Sequence, residues 1–199
     1  FAAYYDFPIF VLFGIWGFPL WIICQSFHIE ETSTFGTMLY GKTVLLVAMI
    51  ISAIMIYRIC KKINICESQA KWASFLFMSS AVIFVEVGLL GQLDVMGFPF
   101  ILLGIYFFEE KSKRKFILMF MIASSFKQFP FFVFVPLLLL IEKNVIKIGL
   151  ESIIVLGFSK VIGLLFPTGT MAMQAKSEFG EKTLERLVGV KLPLYNDTV

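Results

Sequence analysis

Charge is the first thing this sequence lacks. Only 16% of its 199 residues are Asp, Glu, Lys or Arg, against roughly 25% in a soluble domain. A single histidine, His28, cannot build a metal centre without help. The three cysteines, Cys24, Cys60 and Cys66, have no CxxC spacing, so neither a disulfide framework nor a zinc site is supported and they read as small apolar fillers. No GxSxG, P-loop, HExxH or GxGxxG pattern occurs, which leaves serine hydrolase, nucleotide-driven pump and zincin readings without a motif.

What is present is apolar. Hydrophobic residues make up 59% of the chain, including 24 Phe, and the mean hydropathy is +0.88. They fall in blocks about as long as a bilayer is thick, separated by short charged segments, where a soluble core helix would show a polar stripe. The expected fold is all-α, a polytopic transmembrane helical bundle of about six or seven spans with short broken helices, with membrane lipids as its surroundings. The net charge of +3 comes from Lys and Arg clustered in loops, which is a topology signal and gives no basis for a nucleic-acid partner.

Residue 1 is Phe, and the first apolar block follows without a basic n-region or a cleavage pattern, so it does not read as a signal peptide; the chain is expected to be a piece of a longer protein. Spans are expected at 7–27, with Pro19 inside, then at 43–60, 72–90 and 95–108, and last at 145–166. Residues 28–42 and the run EEKSKRK at 109–115 read as loops. The apolar run 116–141 is interrupted at Lys127-Gln128 and Pro130, and reads as two short helices meeting at Lys127 rather than one kinked crossing. With each block crossing once, the basic loops at 58–71, 109–115 and 142–147 share one face, the cytoplasmic one by the positive-inside rule. The chain thus divides into a transmembrane region, 1–166, and an outer-face interfacial helix and tail, 167–199, the tail carrying a low-specificity glycosylation sequon at Asn196-Asp197-Thr198.

Ionisable groups in hydrocarbon cost roughly 2.5–3.5 kcal/mol each on insertion scales, so each invites a functional reading. Glu86 lies near the outer end of its expected helix. Gln92 and Asp94 sit in the turn GQLD on the same face, where Asp94 reads either as a site carboxylate or as an N-cap of the fourth span. Lys127, followed by Gln128, reads either as a cation presented beside unpaired helix-end amides, an arrangement that favours phosphate, or as a snorkelling side chain. Lys160 reads as a snorkelling or helix-pairing residue.

The run 91–140 resembles, in order and spacing, the middle of GT-C type polytopic glycosyltransferases, particularly the mannosyltransferases that use prenyl-phosphate sugars. The pieces are Gly91, Gln92 and Asp94, then the basic loop Lys111 to Lys115, then Ala123-Ser124-Ser125-Phe126-Lys127, then Phe129-Pro130 and Pro136 to Leu140; Tyr4-Tyr5-Asp6-Phe7-Pro8 is similar to the opening of a further family helix. The resemblance implies transfer of a sugar from a polyprenyl-phosphate donor to an acceptor at the outer or lumenal face of the endoplasmic reticulum or of a bacterial or archaeal cytoplasmic membrane. Lys127 and Gln128 would hold the donor phosphate; Gln92, Asp94 and Glu86 would hold sugar or acceptor hydroxyls. The catalytic base, and any divalent cation, would belong to a carboxylate loop upstream of Phe1; no metal site is assigned within the chain. A transporter or flippase of lipid-linked sugars, and a non-enzymatic membrane subunit with Glu86 paired to Lys127, stand as alternatives.

Overall fold

The computed structural model describes residues 7–27, 34–85, 87 and 93–165. The described residues form helices and no strand: α1 (Phe7–Ser26), α2 (Thr34–Lys62), α3 (Glu67–Met78), the single turn α4 (Ala81–Ile83), a 3-10 turn (Leu93–Gly97), α5 (Phe98–Glu109), α6 (Lys113–Phe126), α7 (Phe131–Ile141) and α8 (Val145–Leu165). Glu86, Gln92, His28, Asp6 and the tail 167–199 with its sequon lie outside the described residues.

α1 and α8 run close to their expected limits, but other helix boundaries differ. α2 starts at Thr34 rather than 43: Gly36 and Gly41 read as loop residues, yet Tyr40 donates to the Trp16 carbonyl at 2.8 Å and Trp16 Nε1 donates to Thr43 Oγ1 at 3.0 Å, binding the first turns of α2 to α1. Tertiary contact thus overrides the weak glycine penalty. α3 begins at Glu67 and stops at Met78, five residues before and twelve residues short of the expected limits, because Ser79 and Ser80 leave the helical path, as serines with competing backbone hydrogen bonds do. The expected loop 109–115 shrinks to Glu110–Ser112. The apolar run 116–141 is two helices, with Lys127 in extended backbone (φ −161°, ψ 155°).

The two tight connections use the same device. Asn64 (φ 62°) and Lys111 (φ 56°) are left-handed. Ile65 N–H donates to the Cys60 carbonyl at 2.9 Å and Asn64 N–H to that of Lys61, while Ser112 N–H donates to the Phe107 carbonyl at 3.0 Å and Lys111 N–H to that of Phe108. Both are Schellman closures, one of them on a lysine where glycine is usual, so no breaker announces it.

Two apolar clusters hold the elements together. One gathers Ile9, Val44, Leu45, Ala48 and Met49 from α1 and α2 around Val95, Met96 and Phe126. The other stacks Phe116, Phe120, Phe134, Leu138, Ile101 and Val155; Phe116 lies 5.2 Å from Phe134 and 5.0 Å from Phe120, centroid to centroid. Gly104 admits the Phe120 ring, since a Cβ there would meet Phe120 Cε2 at 2.5 Å. Small polar side chains close the remaining gaps: Ser74 of α3 donates to the Ala53 carbonyl of α2 at 2.8 Å, and buried Ser52 returns its hydroxyl to the Ala48 carbonyl.

The outward faces are apolar too. Phe132 is 78% exposed, Leu140 74% and Ile15 70%. The stretch Leu39–Lys62 of α2 is the one described helix long and apolar enough to cross a membrane, with mean hydropathy 2.3; the apolar helices Val11–Ser26 and Phe131–Ile141 are shorter.

Candidate functional site

Asp94 and Lys127 come together. Thirty-three residues apart in sequence, they form an ion pair through Asp94 Oδ2 and Lys127 Nζ. Asp94 is therefore not the cap of α5: that position is Gly97, and no side chain caps the helix. On either side of Asp94 and Lys127, neighbouring residues are pinned. Val95 and Met96, next to Asp94, are buried in the first apolar cluster, and Gly97 packs beside the Ala123 carbonyl of α6, where a Cβ would make ordinary contact at 3.8 Å. Phe126 stacks on Phe100 at 5.4 Å, and Phe129 rests on Phe98 at 5.9 Å, so α5 grips both sides of Lys127-Gln128.

The lysine is the open member of the pair, its side chain 51% exposed against 25% for Asp94. Gln128 is exposed beside it. Asp94 Oδ1 is buried and has no partner among the described residues, as is also true of Ser124 Oγ. An unsatisfied buried acceptor costs about 1–3 kcal/mol. An exposed ion pair of this kind contributes only about 0–1 kcal/mol, so it is exchangeable.

The expectation of unpaired helix-end amides beside Lys127 is corrected. Phe131 N–H donates to Gln128, Phe132 N–H to Phe129, and the N–H groups of Val133 and Phe134 to the Pro130 carbonyl. The turn 128–130 supplies the carbonyls itself, so attraction for an anion here rests on the lysine charge alone. The Glu86–Lys127 pairing falls on a residue outside the described ones, and the carboxylate found on Lys127 is that of Asp94. Lys160 is exposed on α8. Cys24, Cys60 and Cys66 are free, and among the described residues no three His, Cys, Asp or Glu side chains are placed to hold a metal ion.

Sequence reasoning missed a second polar cluster, at the other end of the helices. Lys113 Nζ lies 2.7 Å from both Glu142 Oε2 and Glu151 Oε1, tying the start of α6 to the end of α7 and the first turns of α8. Nearby, Lys62 meets Glu110 at 3.4 Å and sits 5.4 Å over the Tyr106 ring. The available signal was Glu151, a lone acid in an apolar helix, where an unpaired carboxylate is costly. Asn144 caps α8, its Oδ1 accepting from the N–H groups of Ile146 at 3.0 Å and Lys147 at 3.4 Å. These contacts place the ends of α2, α5 and α7 and the starts of α6 and α8, with their basic residues, together at one end. Asp94 and Lys127, at the opposite ends of α5 and α6, lie at the other.

Burial alone would lower the Lys113 pKa, but hydrogen bonds to Glu142 and Glu151 outweigh it and hold the ammonium above its ordinary 10.5. The Lys113 hydrogen bond, joined by the Asn144 N–H, lowers Glu142 below 4.5. Stability from Glu142 is fully present above 4.5 and is lost as the pH falls through its lowered value; that from Lys113 is present below 10.5 and lost as the pH rises through its raised one. The clasp should hold from mildly acid to mildly alkaline pH and release in acid as the pH falls through the lowered value of Glu142. Hydrogen exchange at the Ile146 and Lys147 amides, corrected for intrinsic rates, should then accelerate, and protection unchanged after Glu142 has been fully protonated would show that its carboxylate does not hold this end.

Comparison with protein-family models, with curated proteins and with solved structures returned no match. Function therefore has to be argued from the helices and from this pair.

Proposed function

We propose that this chain is the membrane-embedded part of a glycosyltransferase that moves a sugar from a polyprenyl-phosphate donor to an acceptor on the non-cytoplasmic face. In this reading the helices form a polytopic bundle, the basic end faces the cytoplasm, and the Asp94–Lys127 end faces the lumen or cell exterior, in the endoplasmic reticulum or in a prokaryotic cytoplasmic membrane. The observation that carries it is that pair: a carboxylate on a pinned turn beside an exposed lysine, at the end opposite the basic loops. Apolar side chains on the outward faces of α1, α7 and α8 give a lipid tail a surface to lie on.

The chemistry asked of the pair is modest. The anomeric C–O bond to phosphate breaks, the acceptor oxygen bonds to the anomeric carbon, and the acceptor proton leaves to a base, which the family resemblance assigns to a loop upstream of Phe1. Lys127 neutralises the charge that grows on the departing phosphate, and the Gln128 amide donates a hydrogen bond to it. Asp94, with Gln92 and Glu86, orients hydroxyls.

The test is sugar transfer by the full-length protein reconstituted in liposomes with a radiolabelled polyprenyl-phosphate hexose. Appearance of label in a glycosylated acceptor is expected. Movement of intact donor across the bilayer without cleavage would instead make the protein a transporter, and neither event with any donor would leave the chain a non-enzymatic subunit.

A further inference from the structure

We infer that Asp94 is a resident competitor for the phosphate subsite: its carboxylate holds Lys127 when no substrate is bound, yields it to phosphate, and by returning displaces the phosphate product. The inference rests on the reading of Lys127 as the phosphate cation.

The two partners are built differently. Asp94 lies in a short 3-10 turn between buried Val95 and Met96 and Leu93, so its carboxylate is fixed. Lys127 lies in extended backbone between two helices, with half of its side chain exposed. Exchange therefore needs only rotation of one flexible side chain, while the helices stay in place. Among the described residues Asp94 Oδ1 already lacks a partner, so loss of Lys127 from Oδ2 leaves the carboxylate without a described partner until a hydroxyl or the lysine occupies it. That unpaired state drives the return.

Charge decides where in the cycle the competition counts. A polyprenyl-phosphate sugar is a phosphodiester with one negative charge, the same as Asp94. Once the sugar has left, the phosphate is a monoester of charge about −1.5 to −2, and Lys127 holds it more strongly than it held the donor. Without a tethered rival carboxylate the product would remain on the lysine and block the next donor. Asp94 thus acts through Lys127 as a positioning residue.

Binding of farnesyl monophosphate to the full-length protein in nanodiscs separates the possibilities. Asp94→Asn keeps the shape of the side chain and removes its charge, and should tighten binding roughly two- to five-fold, the factor that an exposed ion pair is worth. Asp94→Ser should do the same. In a Lys127→Met background, Asp94→Asn should change nothing, whereas a purely structural role for Asp94 would weaken binding in both backgrounds. Unchanged or weaker binding in Asp94→Asn, with Lys127→Met still impaired, would overturn the competition and leave the phosphate site standing. Full binding in Lys127→Met would remove the phosphate site, and the competition with it. In steady-state transfer, inhibition by added farnesyl monophosphate should deepen in Asp94→Asn by the same two- to five-fold.

Discussion

Replacing Lys127 by alanine in the full-length protein is expected to lower sugar transfer about 100-fold or more, the loss seen when one preorganised donor to a developing anion is removed. The phosphate bears its greatest charge at bond cleavage, so the loss should fall mainly on kcat, with a smaller rise in KM for the donor. Lys127→Arg should recover only part of the rate, because a planar guanidinium cannot take up the geometry of the compact ammonium. The exposed position of Lys127 keeps the fold out of the comparison, since its pairing with Asp94 contributes at most about 1 kcal/mol. Transfer by Lys127→Ala at the unsubstituted rate would remove this residue from the site.

The largest expected loss of stability lies at Phe120. Its ring is fully buried, 5.0 Å from Phe116 and 5.4 Å from Phe134, and it fills the space Gly104 leaves open. Phe120→Ala should cost about 3 kcal/mol, the low end for a buried Phe, because the proposed lipid surrounding would remove part of the water-transfer gain but leave the cavity cost. In a thermal scan in detergent this is a fall of roughly 10 °C. Gly104→Ala should itself destabilise by about 1–3 kcal/mol, since the ring it would strike is held from both sides. In a Phe120→Leu background the Gly104→Ala penalty should largely vanish; additive effects of the two changes would mean that they do not share a contact.

Much of the layout was legible because it depends on local chemistry. Long apolar blocks gave α1 and α8, and the cluster Lys127-Gln128 with Pro130 gave the break between α6 and α7, since proline and a charge both oppose an uninterrupted apolar helix. Asp94 and Lys127 were legible one at a time, as polar groups the hydrocarbon should not tolerate unpartnered, but their pairing spans thirty-three residues and no sequence period encodes it. The helix ends were least legible. Asn64 and Lys111 close their helices in left-handed backbone without glycine, and the start of α2 is fixed by Trp16 and Tyr40 across a helix contact. The Lys113 clasp was hidden because Lys113 sits within a basic run that reads as solvated, while its partners Glu142 and Glu151 are remote in sequence.

Dimensions bear on the membrane reading. α2, with 29 residues, is about 43 Å long and exceeds a hydrocarbon thickness of about 30 Å, so under the proposed membrane placement it would tilt or project. The 3-10 turn and α5 together, 93–109, extend about 28 Å, close to a full crossing. α6 alone is nearer 21 Å, and its ends carry the two polar clusters, Lys113 at one and Lys127 at the other.

Sidedness is the claim on which the rest depends, and α6 tests it most directly. With Cys24, Cys60 and Cys66 replaced, single cysteines at Lys111 and at Gln128, both exposed, would be treated in intact membranes with an impermeant maleimide. The two positions should react from opposite sides, Gln128→Cys from the lumenal or external face and Lys111→Cys only once the cytoplasmic face is opened. Reaction of both from the same side would contradict the account, because the Asp94–Lys127 pair would then share a surface with the basic loops.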